Sequence, residues 1–195
     1  VCSGHGQCDD GAAGTGDCTC TAGWSGGDCS TPPQMSCTGA GTSAEDVLIV
    51  ELMPNSSSDP DDEYIMLYNN SCGPIALSGW QLTDNLGPQT FAAISFDPGE
   101  VIILIENAGA SGFGLYGCSD SPPLYDPTAA FGTSGGWLAM GNGGDALELT
   151  NAQGTVIDAV AYGGGSTTNG PNIGSASDSV AFTRNGYPWT GTLGA

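Results

Sequence analysis

Asp59-Pro-Asp-Asp-Glu63 places four carboxylates, Asp59, Asp61, Asp62 and Glu63, within five consecutive residues. Oxygen-rich acidic loops suit Ca²⁺, which accepts irregular coordination by carboxylates and carbonyls. The competing reading is a solvated acidic loop, and for an isolated charge run that reading carries more weight. Asp9, Asp10 and Asp17 form a sparser cluster, expected to face solvent. His5 is the single histidine. A nucleophilic site needs a base beside a Ser or Cys and a third group to orient it, and no spacing places such partners near His5. A surface turn is the expected setting of His5. Zinc needs several His or reduced Cys ligands, and neither is available. The 21 acids leave glycosidase-type carboxylate pairs open, but the pattern implies no cleft. No catalytic residue follows from these residues, and Ca²⁺ is the only cofactor they suggest.

Other side chains bear on binding. Exposed members of the set Trp24, Trp80, Trp137 and Trp189 would offer a sugar-stacking platform. Trp80 sits in a strand pattern and is expected in the core, and Trp24 belongs to the Gly23–Gly26 turn, which leaves Trp137 and Trp189 for the surface. Burial at a protein–protein contact is the commoner use of such residues. Asn55-Ser-Ser57 and Asn69-Asn-Ser71 are N-x-S sequons, meaningful only in a host that glycosylates them, and Thr31 is a site for an O-glycan.

The charge balance excludes whole classes of partner. Asp and Glu number 21 against a single Arg and no Lys, for a net charge of -20. A polyanion releases no counterions from nucleic acid, so DNA and RNA binding are excluded. Anionic membrane surfaces repel it as well. Such charge opposes close packing of copies unless ions screen it, so any assembly should depend on salt or divalent cations. Lysine cross-links and Schiff-base chemistry are unavailable, and Arg184 is the single tryptic site.

These residues must be positioned by a β-rich scaffold. Gly is 33 of 195 residues, charged residues are 11%, and long helix-forming runs are absent, which favours short strands joined by tight turns. The strongest local signal is Asn142 to Gly163. Ala146 and Glu148 alternate with Leu147 and Leu149, Asn151 to Gly154 reads as a turn, and a second strand runs from Thr155 to Tyr162. Period two puts Val156, Asp158, Val160 and Tyr162 on one face, and Ile157, Ala159 and Ala161 on the other. Val47–Leu52 reads as a first strand. Trp80 is the expected centre of a core that Phe91, Val101, Ile103 and Ile105 extend. Gly109 to Gly136 is long and irregular, a length expected of a loop that binds something or packs on a partner. Asp178–Arg184 reads as a last strand. The small-residue tail beyond it would fray unless a neighbouring molecule held it.

Five blocks in order resemble the lamin tail domain family in its bacterial secreted form. They are Glu51-Leu-Met-Pro-Asn55, Glu63 to Asn69, Leu77 to Asp84, Pro98 to Leu104, and the hairpin with its Val-Ile-Asp-x-Val-x-Tyr-Gly strand. The resemblance spans Asp46 to Arg184 and implies an immunoglobulin-like β-sandwich over residues 46–195. The nuclear association of the family's namesake is not carried over, because a disulfide-rich composition argues against a nucleus.

Cys2 to Cys29, with Cys18-Thr-Cys20 and Gly23-Trp-Ser-Gly26, resembles a tenascin-type EGF-like module over residues 1–30, followed by a Pro-containing linker over 31–45. So short a segment cannot hold a core without staples. The resemblance implies Cys2–Cys18 and Cys20–Cys29 bridges. The first of the family's six cysteines is missing, which leaves Cys8 without its usual partner. Cys8–Cys37 with Cys72–Cys118 would close the set within one chain; a bond from Cys8 to a neighbouring molecule is the alternative.

Eight cysteines point to an oxidising compartment, so a secreted, extracellular or cell-surface location is expected. No apolar run reaches the length of a membrane-spanning helix. The chain opens at Val1 without Met or signal peptide, and a mature, processed product is expected. The function that fits is a non-enzymatic structural protein that assembles with itself head to tail, into a filament or surface layer. An adhesion or carbohydrate-binding accessory module of a larger secreted protein is the alternative, with glycans as partners.

Overall fold

The computed structural model describes residues 6–9, 16–20, 27, 29, 41, 43–55, 63–107, 122–132, 140–175 and 181–184. The chain divides into two compact units, Val1–Cys37 and Thr38–Ala195. In the first, β1 (Gly6–Cys8) and β2 (Cys18–Cys20) form an antiparallel hairpin with Cys8 opposite Cys18. The Cys20–Cys29 disulfide, Cα atoms 5.3 Å apart, staples this unit.

The second unit runs β3 (Val47–Met53), β4 (Tyr64–Asn69), β5 (Ile75–Ala76), β6 (Gln81–Asp84), β7 (Gly87–Thr90), β8 (Ser95–Phe96), β9 (Val101–Ile105), β10 (Leu124–Tyr125), α1 (Pro127–Phe131), β11 (Gly144–Thr150), β12 (Val156–Gly163) and β13 (Phe182–Thr183). One sheet has the order β10-β9-β4-β3-β13 and the other β12-β11-β6-β7, with β5 and β8 forming a small ribbon. Between the sheets lies a single apolar core. Ile49, Leu52, Ile65, Leu67, Ile102 and Leu104 of the first sheet meet Leu82, Leu147, Leu149, Val160 and Tyr162 of the second, around Trp80. Each fully buried Leu or Ile here contributes about 1.5–3 kcal/mol of transfer free energy. This is an all-β, immunoglobulin-like sandwich.

Two details depart from the alternation read in the sequence. The strand β11 alternates as expected, with Leu147 and Leu149 buried, but the β11–β12 register steps from Leu149↔Asp158 to Thr150↔Val156. That bulge passes over Ile157 and turns it into the core with Val160 and Tyr162, not to the opposite face. In β9 the core residues are Ile102 and Leu104. Val101, Ile103 and Ile105 belong instead to a second apolar cluster with Leu48, Val50, Met66 and Tyr68 on the sheet's other face. Strands β3, β4 and β9 are buried on both faces, and an unbroken apolar run such as Val-Ile-Ile-Leu-Ile carries no parity signal.

The segment expected to be an irregular loop is in part regular. Leu124–Tyr125 pairs in parallel with β9, and Asp126 caps α1 by accepting from Ala129 N at 2.8 Å. Pro127 occupies the helix start, and Gly132 closes the other end with φ of 70°. Phe131 then packs on Phe91, ring centroids 5.1 Å apart, which brings this segment into the main core. Of the expected last strand, the described part that pairs is Phe182–Thr183, opposite Leu52 and Glu51 of β3.

Candidate functional site

Asp59, Asp61 and Asp62 lie outside the described residues. Glu63, the last of that run, is 2% exposed and precedes β4, its carbonyl accepting from Glu106 N at 3.1 Å. Among the described residues, no three His, Cys, Asp or Glu side chains converge on one point as a ready ligand set. Asp9 and Asp17 are exposed at the mouth of the first hairpin, where Asp9 N donates to Asp17 O at 2.9 Å. Asp10, His5, Trp24, Trp137, Trp189 and Thr31 lie outside the described residues. Trp80 is buried in the core and offers no face to a sugar. Asn69 is fully buried, its amide donating to Gly73 O and Phe96 O at 3.0 Å each, so this sequon takes no glycan in the folded protein.

The cysteines divide unevenly. Cys18 and Cys72 are also disulfide-bonded, while Cys2, Cys37 and Cys118 lie outside the described residues. Cys8 carries a free thiol, in place of the Cys8–Cys37 bridge expected within the chain. The β1–β2 pairing sets Cys8 opposite Cys18, whose sulfur is already bridged, and turns the Cys8 thiol toward Gly16 O at 3.7 Å.

Two polar constellations inside the sandwich stand out instead. The first latches β13. Arg184, the only Lys or Arg of the chain, meets Asp158 of β12 with Nη1–Oδ2 2.9 Å and Nη2–Oδ1 3.1 Å. Asp158 Oδ2 also accepts from Ile49 N of β3 at 2.7 Å, and Arg184 N donates to Val50 O. One carboxylate therefore ties β12 of one sheet and β3 of the other to the chain's last described segment. Burial pushes the Asp158 carboxyl above its ordinary range, against the Ile49 hydrogen bond and the Arg184 charge, which lower it. Beside it, Glu51 accepts from Tyr64 Oη and, at 2.9 Å, from Thr183 Oγ1. A cavity of about 350 Å³ lined by Ile49, Val50, Leu52, Val160, Ile173 and Phe182 opens along this edge.

The second constellation closes one end of the core. Asp145 of β11 stands directly opposite Tyr162 of β12, on the phase that Leu147 and Leu149 occupy. Asp145 Oδ1 accepts from Ala146 N at 2.7 Å and Asn85 N at 3.2 Å. Asp84 Oδ1 accepts from Leu86 N and Gly87 N at 2.8 and 2.9 Å, shaping the β6–β7 turn. Burial holds the Tyr162 phenol far above its ordinary range, and the charges of Asp145, Glu63 and Asp84 add to it. The phase of Asp145 was a usable signal: an acid on the apolar register of a strand reads as a buried one. Asp158 was harder to find, because its role needs the bulge and a distant Arg.

The second unit is thus an immunoglobulin-like sandwich in which buried carboxylates tie strands together. The Lamin Tail Domain family matches residues 40–164, and the chain belongs to that family of structural, non-catalytic domains. No curated protein matches the chain. No helix among the described residues is long and apolar enough to cross a membrane.

Proposed function

We propose that this chain is an extracellular structural protein, not an enzyme, and that copies join head to tail through the β13 edge of the first sheet into a filament or surface layer. The observation that carries the reading is the pairing on that edge. Among the described residues, Phe182 and Thr183 pair with Leu52 and Glu51, and toward the start of β3 the Ile49 N–H donates to the Asp158 carboxylate of β12. A sheet edge whose outermost described strand is two residues long, beside a cavity, accepts an added strand, with main-chain hydrogen bonds for affinity and side-chain pockets for register. A strand taken from another copy makes a heterologous contact, which propagates when its rotation does not close.

The other described edges are less inviting. The outer strand β7 carries Pro88, and the outer edge of β12 is covered where Ala161 N donates to Pro171 O and Ile173 N to Ala161 O. The bridged cysteines support an oxidising, extracellular setting. Residues 1–30 are read as a truncated EGF-like knob of a bacterial secreted protein, which docks on the sandwich of the next copy. Negative-stain micrographs and light scattering across a salt and Ca²⁺ series test assembly. Polymers that grow with screening support it; monodisperse particles under every condition refute it.

A further inference from the structure

Building on the head-to-tail contact proposed above, we infer that the strand passed between copies is β13 with the adjoining Arg184. Phe182 to Arg184 of one molecule leaves its own sheet and pairs with β3 of the next, where Arg184 meets the Asp158 carboxylate of that second copy.

Three features point to β13. First, the contacts that hold it run to strands distant in sequence. Phe182 and Thr183 stand opposite Leu52 and Glu51, and Arg184 N donates to Val50 O at 2.8 Å. Thr183 Oγ1 donates to Glu51 Oε2 at 2.9 Å, and the Phe182 ring lies 5.8 Å from that of Tyr162. A strand held in this way fits the same edge whichever molecule carries it. The contacts of an exchanged β13 repeat those it leaves, so exchange is nearly neutral in contact energy and responds to protein concentration.

Second, charge selects the occupant. Asp158 is 7% exposed, and its carboxylate accepts from Ile49 N and from the Arg184 guanidinium. A departing β13 takes the cation with it, and an unpaired buried carboxylate is strongly unfavourable. The strand that refills the edge must therefore bring a positive side chain to that point. With no Lys, a single Arg and a histidine neutral at pH 7, the strand that does so in any copy is the one carrying Arg184. Against the 21 acids of a second copy, Arg184 is also the one permanent positive side chain that two chains of -20 can offer each other.

Third, β13 is lightly held. Thr183 is exposed, and Phe182 and Arg184 are half-buried, whereas β3, β4 and β9 are buried on both faces. A cavity of about 350 Å³ walled by Ile49, Leu52, Val160, Ile173 and Phe182 lies alongside. An edge element with this little burial opens far more readily than the central strands. Each copy has one β13 and one Asp158 edge, so each gives one strand and takes one, and the assembly is polar from end to end.

The test exchanges the charges. Asp158→Arg and Arg184→Asp chains each place like charges at the latch, and neither alone should assemble in the salt at which the wild type does. Mixed one to one, the strand of each chain meets an edge of opposite charge on the other, and light scattering and negative-stain micrographs should show assembly restored. A second measurement uses the register of Thr183 with Glu51, with Thr183→Cys as donor and Glu51→Cys as acceptor, both in a Cys8→Ser background. Oxidised together under assembling conditions, these should give a covalent dimer joined between positions 51 and 183 by mass spectrometry. Arg184→Met in the donor should lower its yield about tenfold or more, while Arg184→Met in the acceptor should not lower it. A donor-dependent link supports the exchange even where the charge-exchanged chains do not fold. Wild-type polymers with neither rescue in the mixture nor a link between 51 and 183 would overturn the exchange and leave head-to-tail assembly through another contact standing. Absence of wild-type polymers under every condition would overturn both. A link of equal yield from the two Arg184→Met mixtures would remove the role of the charge.

Discussion

Replacing Arg184 by Met keeps the aliphatic stem and removes both N–H donors from Asp158. The carboxylate then retains the Ile49 N–H but loses the only cation of the chain. Breaking a fully buried pair costs about 3–5 kcal/mol. Here the Asp158 side chain is 6% exposed and Arg184 29%, so solvent screens part of the interaction. A loss of about 2 kcal/mol near neutral pH is expected, lowering Tm by roughly 4–8 °C for a chain of this size. The sign of the pH dependence follows from burial. Because the native Asp158 carboxyl titrates above its unfolded value, the native state holds more protons between the two, and stability falls as pH rises through that window. Removing Arg184 raises the native value further and widens the window. The Arg184→Met penalty should therefore be full near neutral pH and smallest near about pH 4, where the unfolded Asp titrates. Calorimetric melts across pH, with the Asp158→Asn and double variants closing a thermodynamic cycle, measure it. An unchanged Tm near neutral pH would refute a stabilising pair. A penalty independent of pH would show that packing of the stem, not charge, carries the effect.

Three further outcomes follow from local geometry. Gly41→Ala places a Cβ 2.8 Å from the Trp80 ring at a φ of +75°, and should destabilise by about 1–3 kcal/mol in a denaturant titration. Asn151→Ala removes the acceptor of Gln153 N and Thr155 N and the donor to Gly41 O, and should cost about 2 kcal/mol or more, with faster amide exchange at the hairpin turn. The Cys8 thiol should react with a maleimide in protein purified without reductant, and Cys8→Ser should lower the label by one per chain; a label unchanged by Cys8→Ser would mean that Cys8 is bridged after all.

The extent to which the fold was readable differs from strand to strand, for physical reasons. In β11 only one face is buried, so alternation alone gave the strand, its core residues and the turn, where Gly154 at φ of 79° follows Asn151 as the pattern required. Trp80 was readable because its neighbours alternate with polar residues. The strand β9 was readable as a strand but not in its facing, since burial on both sides removes the contrast that parity reads. The face of Ile157 depended on a bulge, which nothing in Val156 to Gly163 announces. The acidic run that drew attention first was conspicuous because it is concentrated. The buried carboxylates that organise the interior, Asp145 and Asp158, are each isolated among apolar residues, and their partners come from strands far away in sequence.

Charge acts on this molecule at two depths, and the two respond to salt differently. Repulsion between copies, each carrying -20, acts through solvent and is screened over a Debye length of about 10 Å near 0.1 M salt. The Asp158–Arg184 pair and the Asp145 end are largely buried, where added monovalent ions reach poorly. Monovalent salt therefore acts on association and on repulsion among the surface charges of each copy, while the contribution of the buried pair changes little. An Arg184→Met penalty that shrank with monovalent salt as steeply as association changes would place the Asp158–Arg184 pair in effect at the surface and remove the distinction on which its role rests.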